Sequence, residues 1–124
     1  MQRFLATRSA RTVGRIAAIL DPRYNEFHNE NTGFFGFLEM IEDAAVASRL
    51  LETAREWLRQ RGVDVIRGPV NPSTNYECGL LVDGFDSSPR VMMTSTIRIT
   101  RVWWNRRAFG RQRICWHTIC ACKT

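Results

Sequence analysis

Between Asp43 and Gly62 the apolar residues fall on one helical stripe, and that stripe limits what the chain can fold into. Ala47, Leu50, Leu51, Ala54, Trp57 and Leu58 stand at i, i+3, i+4, i+7, i+10 and i+11, the spacing of a helix with a single buried face. Asp43 is placed to act as N-cap and Gly62 to close the far end at C′. Glu52–Arg55 and Glu56–Arg59 are spaced for i, i+3 pairing on the wet side. Such a helix needs a second layer, and its flanks read as strands. Residues 12–20 (TVGRIAAIL) form an apolar run rich in β-branched residues and closed by Asp21-Pro22. Residues 33–40 (GFFGFLEM) carry aromatics suited to a pleated surface, with Gly36 marking a bulge or a close backbone contact. Residues 63–71 give a third strand, broken at Gly68-Pro69. Phe34, Phe35, Phe37 and Trp57 read as core. Residues 21–32 read as a turn or loop, 74–82 as a short helix, 84–89 as a loop and 90–94 as the start of a fourth strand. This order is an α/β layer with a mixed β-sheet and one long amphipathic helix. The length of 124 residues suffices for one domain and not for two.

The net charge of +6 suggests nucleic acid until it is split by position. Residues 1–94 hold 11 Arg against 12 Asp and Glu, a net of −1; residues 95–124 hold six Arg, Lys123 and no acid, a net of +7. The basicity belongs to the terminus, and the body offers no phosphate-binding face. Apolar runs such as 16–20 are too short to cross a bilayer. Arg3, Arg8, Arg11 and Arg15 precede only five apolar residues before Asp21, which is no secretory leader. A soluble, cytoplasmic protein without a membrane partner is the expectation.

Three stretches carry a resemblance: VGRIAAILDPRYNEFH, TGFFGFLEM and RGPVNPSTNYECGLLVDGFD. In this order they resemble the GNAT superfamily of acyl-CoA N-acyltransferases, and more narrowly a little-characterised bacterial branch of it. The likeness covers roughly residues 4–94, a partial GNAT-like domain. TGFFGFLEM is similar to the family's hairpin into its central strand, and 43–62 to the helix that follows. The resemblance implies acetyl transfer from acetyl-CoA to an amine, on a small molecule or a protein. It also implies a first strand and helices that should precede Phe4. Glu39, near the end of the central strand, takes the position of a general base that removes a proton from the amine. Leu38, Met40 and Ile41 lie where the CoA thioester would run. Asn71 sits where the superfamily often has Asn. With Ser73 and Asn75 it follows a strand end, where α/β proteins place ligands. The plainer alternatives are a strand-end Glu39 and ordinary turn chemistry at 71–75.

The chain departs from the family at one loop. The superfamily holds the CoA pyrophosphate on an R/Q-x-x-G-x-G/A turn ahead of the helix. Here that connection is Met40-Ile41-Glu42-Asp43, whose acids suit the helix dipole but repel a pyrophosphate. A second reading follows: a non-catalytic module that binds a ligand or partner chain through residues 71–79. A third is non-specific nucleic-acid binding through the basic tail.

The tail carries three of the four Trp and three of the four Cys. Cys115-x-His117-x-x-Cys120-x-Cys122 is too crowded for the separated ligand pairs of structural zinc sites, so no metal is expected. Cys78 is the single body cysteine and argues against a disulfide framework. Glu77 and Cys78 suggest an acid and a nucleophile, but His28 is the only body histidine and no triad spacing results; core or cap roles are favoured. Arg, Trp and Cys become common when GC-rich DNA is read out of frame. Reading from the third base of each codon, Trp103-Trp104 forces Val and Trp104-Asn105 forces Glu; Cys115-Trp116 forces Leu and Trp116-His117 forces Ala. The remaining codons permit an amphipathic helix, a Gly-Phe turn and a strand. Residues 95–124 are therefore expected to be a frameshifted, disordered tail on a truncated member of the family.

Overall fold

In a computed structural model the chain is described over residues 1–72, 77–79, 110–114 and 118–123. Four strands and two helices form its body, in the order β1 (Gln2–Arg8), β2 (Arg11–Leu20), α1 (Pro22–His28), β3 (Thr32–Met40), α2 (Ala44–Arg59) and β4 (Val65–Gly68). The short strands β5 (Val70–Asn71) and β6 (Glu77–Cys78) pair with each other. Strands β7 (Gly110–Ile114) and β8 (Thr118–Lys123) complete a main sheet of order β1-β2-β3-β4-β8-β7. The architecture is α/β with a mixed sheet: β1, β2 and β3 run antiparallel, and β3 and β4 run parallel.

The amphipathic stripe becomes α2. Val46, Ala47, Leu50, Leu51, Ala54 and Leu58 are buried against Ile16, Ala18, Phe35, Val63 and Ile66, with Trp57 packed at the margin. Asp43 is the N-cap, its Oδ1 accepting the Ala45 N–H at 2.8 Å. The helix stops at Arg59 with Gln60 as C-cap, and Gly62 lies two residues further at φ +76. That conformation favours glycine. The expected i, i+3 ion pairs do not form. Glu56 accepts instead from Gln60, and the Arg61 guanidinium stacks 3.7 Å from the Trp57 ring.

On the other face of the sheet Ala17, Ile19, Phe34 and Val70 form a second buried cluster, with Tyr24 and Phe37 against it. Tyr24 belongs to α1, which replaces the loop expected over 21–32. Asp21 caps it by accepting from the Arg23 and Tyr24 N–H groups at 3.1 and 3.2 Å, and Pro22 takes the first turn, where no N–H is needed. Asn29, at φ 50, ends it. Strand β1 was also outside the expected elements. It pairs with β2 through a two-residue turn, Ser9-Ala10, both with positive φ.

Two expectations beyond residue 72 fail where the chain is described. Glu77–Cys78 is a strand, not part of a helix. Residues 110–114 and 118–123 are strands, with β8 antiparallel to β4, where a disordered tail was expected. A sheet edge offers its N–H and C=O groups to an extended segment, and β8 pairs along that edge of β4. The loop 84–89 and the strand start 90–94 lie outside the described residues.

Candidate functional site

Five of the seven expected site residues lie at the carboxyl end of β3. The parallel ladder with β4 covers only Thr32↔Val65, Gly33↔Ile66 and Phe34↔Arg67. Beyond Phe34 this ladder stops, although Gly68 still lies against the Phe35 carbonyl, and the rest of β3 has its strand ladder with β2. That pairing contains a bulge. Arg15 faces Glu39 and Ala17 faces Gly36, so Ile16 stands opposite both Phe37 and Leu38. Phe37 takes a left-handed φ of 50.

The bulge changes which side chains face where. In a regular strand, residues four apart share a face, which would place Glu39 with Phe35 against α2. The extra residue inverts this. Leu38 and Met40 pack on the α2-side core, and Glu39, between them, points to the opposite face. There its Oε1 accepts from Arg15 Nη2 at 2.8 Å, with both side chains more than half exposed. Ile41 is exposed, and its N–H donates to the Val13 carbonyl at 2.9 Å. Leu38, Met40 and Ile41 can therefore meet a bound group mainly through backbone or through the exposed Ile41.

Asn71 reaches the same place from β5. Its Oδ1 accepts the Phe37 N–H at 2.6 Å. Val70 is fully buried, and its carbonyl oxygen lies 1.7 Å from where a Cβ on Gly36 would fall. Only glycine lets the 70–71 segment cross so close. The structure thus brings Glu39, Leu38, Met40, Ile41 and Asn71 to one strand end. Ser73 and Asn75 lie outside the described residues. Neither Arg15, the partner of Glu39, nor the bulge at Phe37 stood among the expected site residues. The signal was present in GFFGFLEM, because strict alternation puts a carboxylate in register with a core Phe.

The start of α2 carries negative charge. Asp43 Oδ2 accepts from Arg8 Nη2 at 2.7 Å. That guanidinium first, and then the Ala45 N–H, hold its carboxyl below the usual range. An anionic side chain thus occupies the helix N-terminus where a phosphate would compete. Among the described residues no cluster of His, Cys, Asp and Glu is arranged to hold a metal ion.

At the other end of β3 a polar network ties α1 to β4. Arg67 donates from Nη1 to Tyr24 Oη at 2.8 Å and to Glu30 Oε2 at 2.7 Å. Burial opposes the Arg67 charge, but Glu30 and Tyr24 outweigh it and its affinity for the proton rises. Arg67 holds the Glu30 carboxyl below its usual range. Asn25 grips the Thr32 backbone through both its amide atoms, at 3.0 Å each. This network sits toward the amino end of β3, away from Glu39.

No helix of the described residues is long and apolar enough to cross a membrane. No family model matches the chain, and no solved structure matches it. Two curated proteins do. The chain is 46% identical over 96 residues to a protein named bacterial ceramide synthase from Caulobacter vibrioides, and 38% identical over 92 residues to protein YghO of Escherichia coli K12. These matches take in 75% and 74% of this chain but 24% of each relative, so the chain spans about a quarter of the length of the curated relatives it matches.

Proposed function

We propose that the chain contributes to N-acyl transfer, from a thioester donor to an amine, on a GNAT-like sheet. The observation that carries this reading is the 46% identity to a ceramide synthase. A ceramide is the amide of a fatty acid and a long-chain amino alcohol, so its synthesis is an N-acylation. The geometry at the end of β3 supports the same chemistry. The β3–β4 ladder ends at Phe34, and past the 70–71 crossing at Gly36 and Phe37 no strand ladder covers residues 38–40 on that side among the described residues, which offers an edge to an extended thioester. Glu39 is solvent-accessible on the same stretch and takes the proton of the attacking amine. Nitrogen then bonds the acyl carbon, the carbon–sulfur bond breaks, and the thiolate leaves and is protonated. Backbone N–H groups at the strand end steady the oxyanion.

The test incubates the chain with acetyl-CoA or a long-chain acyl-CoA and sphinganine, and follows amide and free thiol together. Amide formation that falls about 100-fold in Glu39→Gln is the expected result. Amide formation unaffected by that change would remove Glu39 from the reaction.

Asp43 favours a second reading, a non-catalytic module. Its carboxylate, held ionised by Arg8, stands at the helix start where the family's pyrophosphate would bind. Titration of acetyl-CoA separates the two readings. Absence of heat and of thermal shift up to about a millimolar supports the module, because the phosphate cradle is filled by a side chain. Saturable micromolar binding rejects it.

A further inference from the structure

A left-handed residue inside a strand has to be held there. Phe37, at φ 50, is in a conformation that side-chain-bearing residues disfavour. Burial of Leu38 and Met40 against the α2 side favours some bulge between Gly36 and Glu39. It does not say which residue takes the extra place. The Phe37 side chain packs on the cluster of Ala17, Ile19, Phe34 and Val70, and what grips its backbone comes from outside the hairpin: Asn71 Oδ1 accepts its N–H at 2.6 Å. The Val70 carbonyl, pressed on Gly36, fixes where that oxygen can be.

We propose that Asn71 is a positioning residue of the candidate site, holding the bulge at Phe37 so that Glu39 faces Arg15 and the open side of the sheet. The role of Glu39 rests on the acyl-transfer reading, while the clamp itself rests on geometry alone. Asn71 acts through the backbone of β3 and need not touch substrate. Its Oδ1 is engaged by Phe37, so any contact of Asn71 with a ligand falls to its Nδ2.

The test compares Asn71→Ala with Asn71→Asp, which keeps an acceptor oxygen. Amide hydrogen exchange is read at Phe37 and at Phe34, and the Arg15–Glu39 contact is read by nuclear Overhauser effects. In Asn71→Ala, exchange at Phe37 should quicken about tenfold while Phe34 holds, and the Arg15–Glu39 contact should weaken. Asn71→Asp should stay within about threefold of the unaltered chain. Unchanged exchange at Phe37, or equal quickening at Phe34, overturns the proposal. Should Asn71→Ala not fold, the double variant Asn71→Ala with Phe37→Gly decides, since glycine adopts positive φ without a clamp. Recovery of the Arg15–Glu39 contact supports the clamp, and its continued loss rejects it. In the acyl-transfer assay Asn71→Ala should lower kcat with little change in KM for the amine, and Asn71→Asp should restore it. If the unaltered chain makes no amide, the acyl-transfer reading fails while the exchange result still decides the clamp.

Discussion

The two halves of β3 are held by different means. Gly33 and Phe34 are paired on both sides, by β2 and by β4, Thr32 pairs with β4, and the Glu30–Arg67–Tyr24 network locks α1 over this half. Phe37–Met40 is paired on one side only, contains a left-handed residue, and is pinned by a single side chain from β5. The first half gets its placement from cooperative ladders and burial, which many residues share. The second depends on a few contacts, and it is the half that carries Glu39. Candidate chemistry thus sits on the less redundantly supported end of the strand, where a small change in backbone re-aims a side chain.

Adding one methyl group to each half is the strongest way to break this comparison. A Cβ at Gly36 meets a backbone oxygen, that of Val70, at 1.7 Å, and no side-chain rotation relieves it. Gly36→Ala should cost about 3 kcal/mol or displace the 70–71 segment outright. A Cβ at Gly33 meets the ends of Leu58 and Val63 at 2.7–3.1 Å, and those atoms can rotate away. Gly33→Ala should cost about 1 kcal/mol. Urea denaturation of both variants checks the pair, and a larger loss at Gly33 would reverse the assignment of which half is tightly constrained by backbone.

Acid should loosen the first half. Arg67, ahead of Thr32, lowers the Glu30 carboxyl below its usual range. A group whose pKa falls on folding contributes stability above its unfolded pKa, and loses it as pH drops through the folded value. The melting temperature of the unaltered chain should therefore exceed that of Glu30→Gln at neutral pH. The gap should close as pH falls below the ordinary carboxylate range. A gap independent of pH would mean that Glu30 acts by packing and not by charge. The Asp43–Arg8 pair, with the Ala45 N–H, follows the same sign, and Asp43→Asn should show the same closing gap at the start of α2.

Much of the first half was legible in the sequence, and less of the second. Periodicity located α2, β2, β3 and β4 because burial dictates their spacing. Strand β1 escaped because its turn, Ser9-Ala10, lacks the Asn-Gly or Asp-Gly signal that marks a two-residue hairpin. Helix α1 escapes because Asp21-Pro22 ends a strand and begins a helix with the same two residues, and the strand-end signal masks the cap. The bulge was half-visible: Gly36 flagged a close contact, but the partner, Val70, is 34 residues away. Long-range contacts of that kind leave no periodic trace. The tail shows the reverse failure. Its residues carry no strand pattern tied to a core, yet β8 pairs with β4 in an antiparallel ladder. Comparing the coding DNA around the Thr94 codon with that of the Caulobacter relative tests the frame. A small insertion or deletion is the expected outcome, and an uninterrupted frame opposes it.

The smallest effect should come from the contact nearest the proposed chemistry. The Arg15–Glu39 pair is short, at 2.8 Å, but its side chains are 53% and 70% exposed. Water screens such a pair and two long side chains lose freedom in forming it, so Arg15→Ala should change stability by less than about 0.5 kcal/mol. About 1 M salt should erase even that difference. The bulged half of β3 owes its geometry to Asn71 and Val70, which touch its backbone, and not to a surface ion pair that touches only its side chain. A loss above about 1 kcal/mol in Arg15→Ala would be too large for an exposed pair. It would show that the guanidinium, and not the Asn71 clamp, keeps Glu39 on the open face.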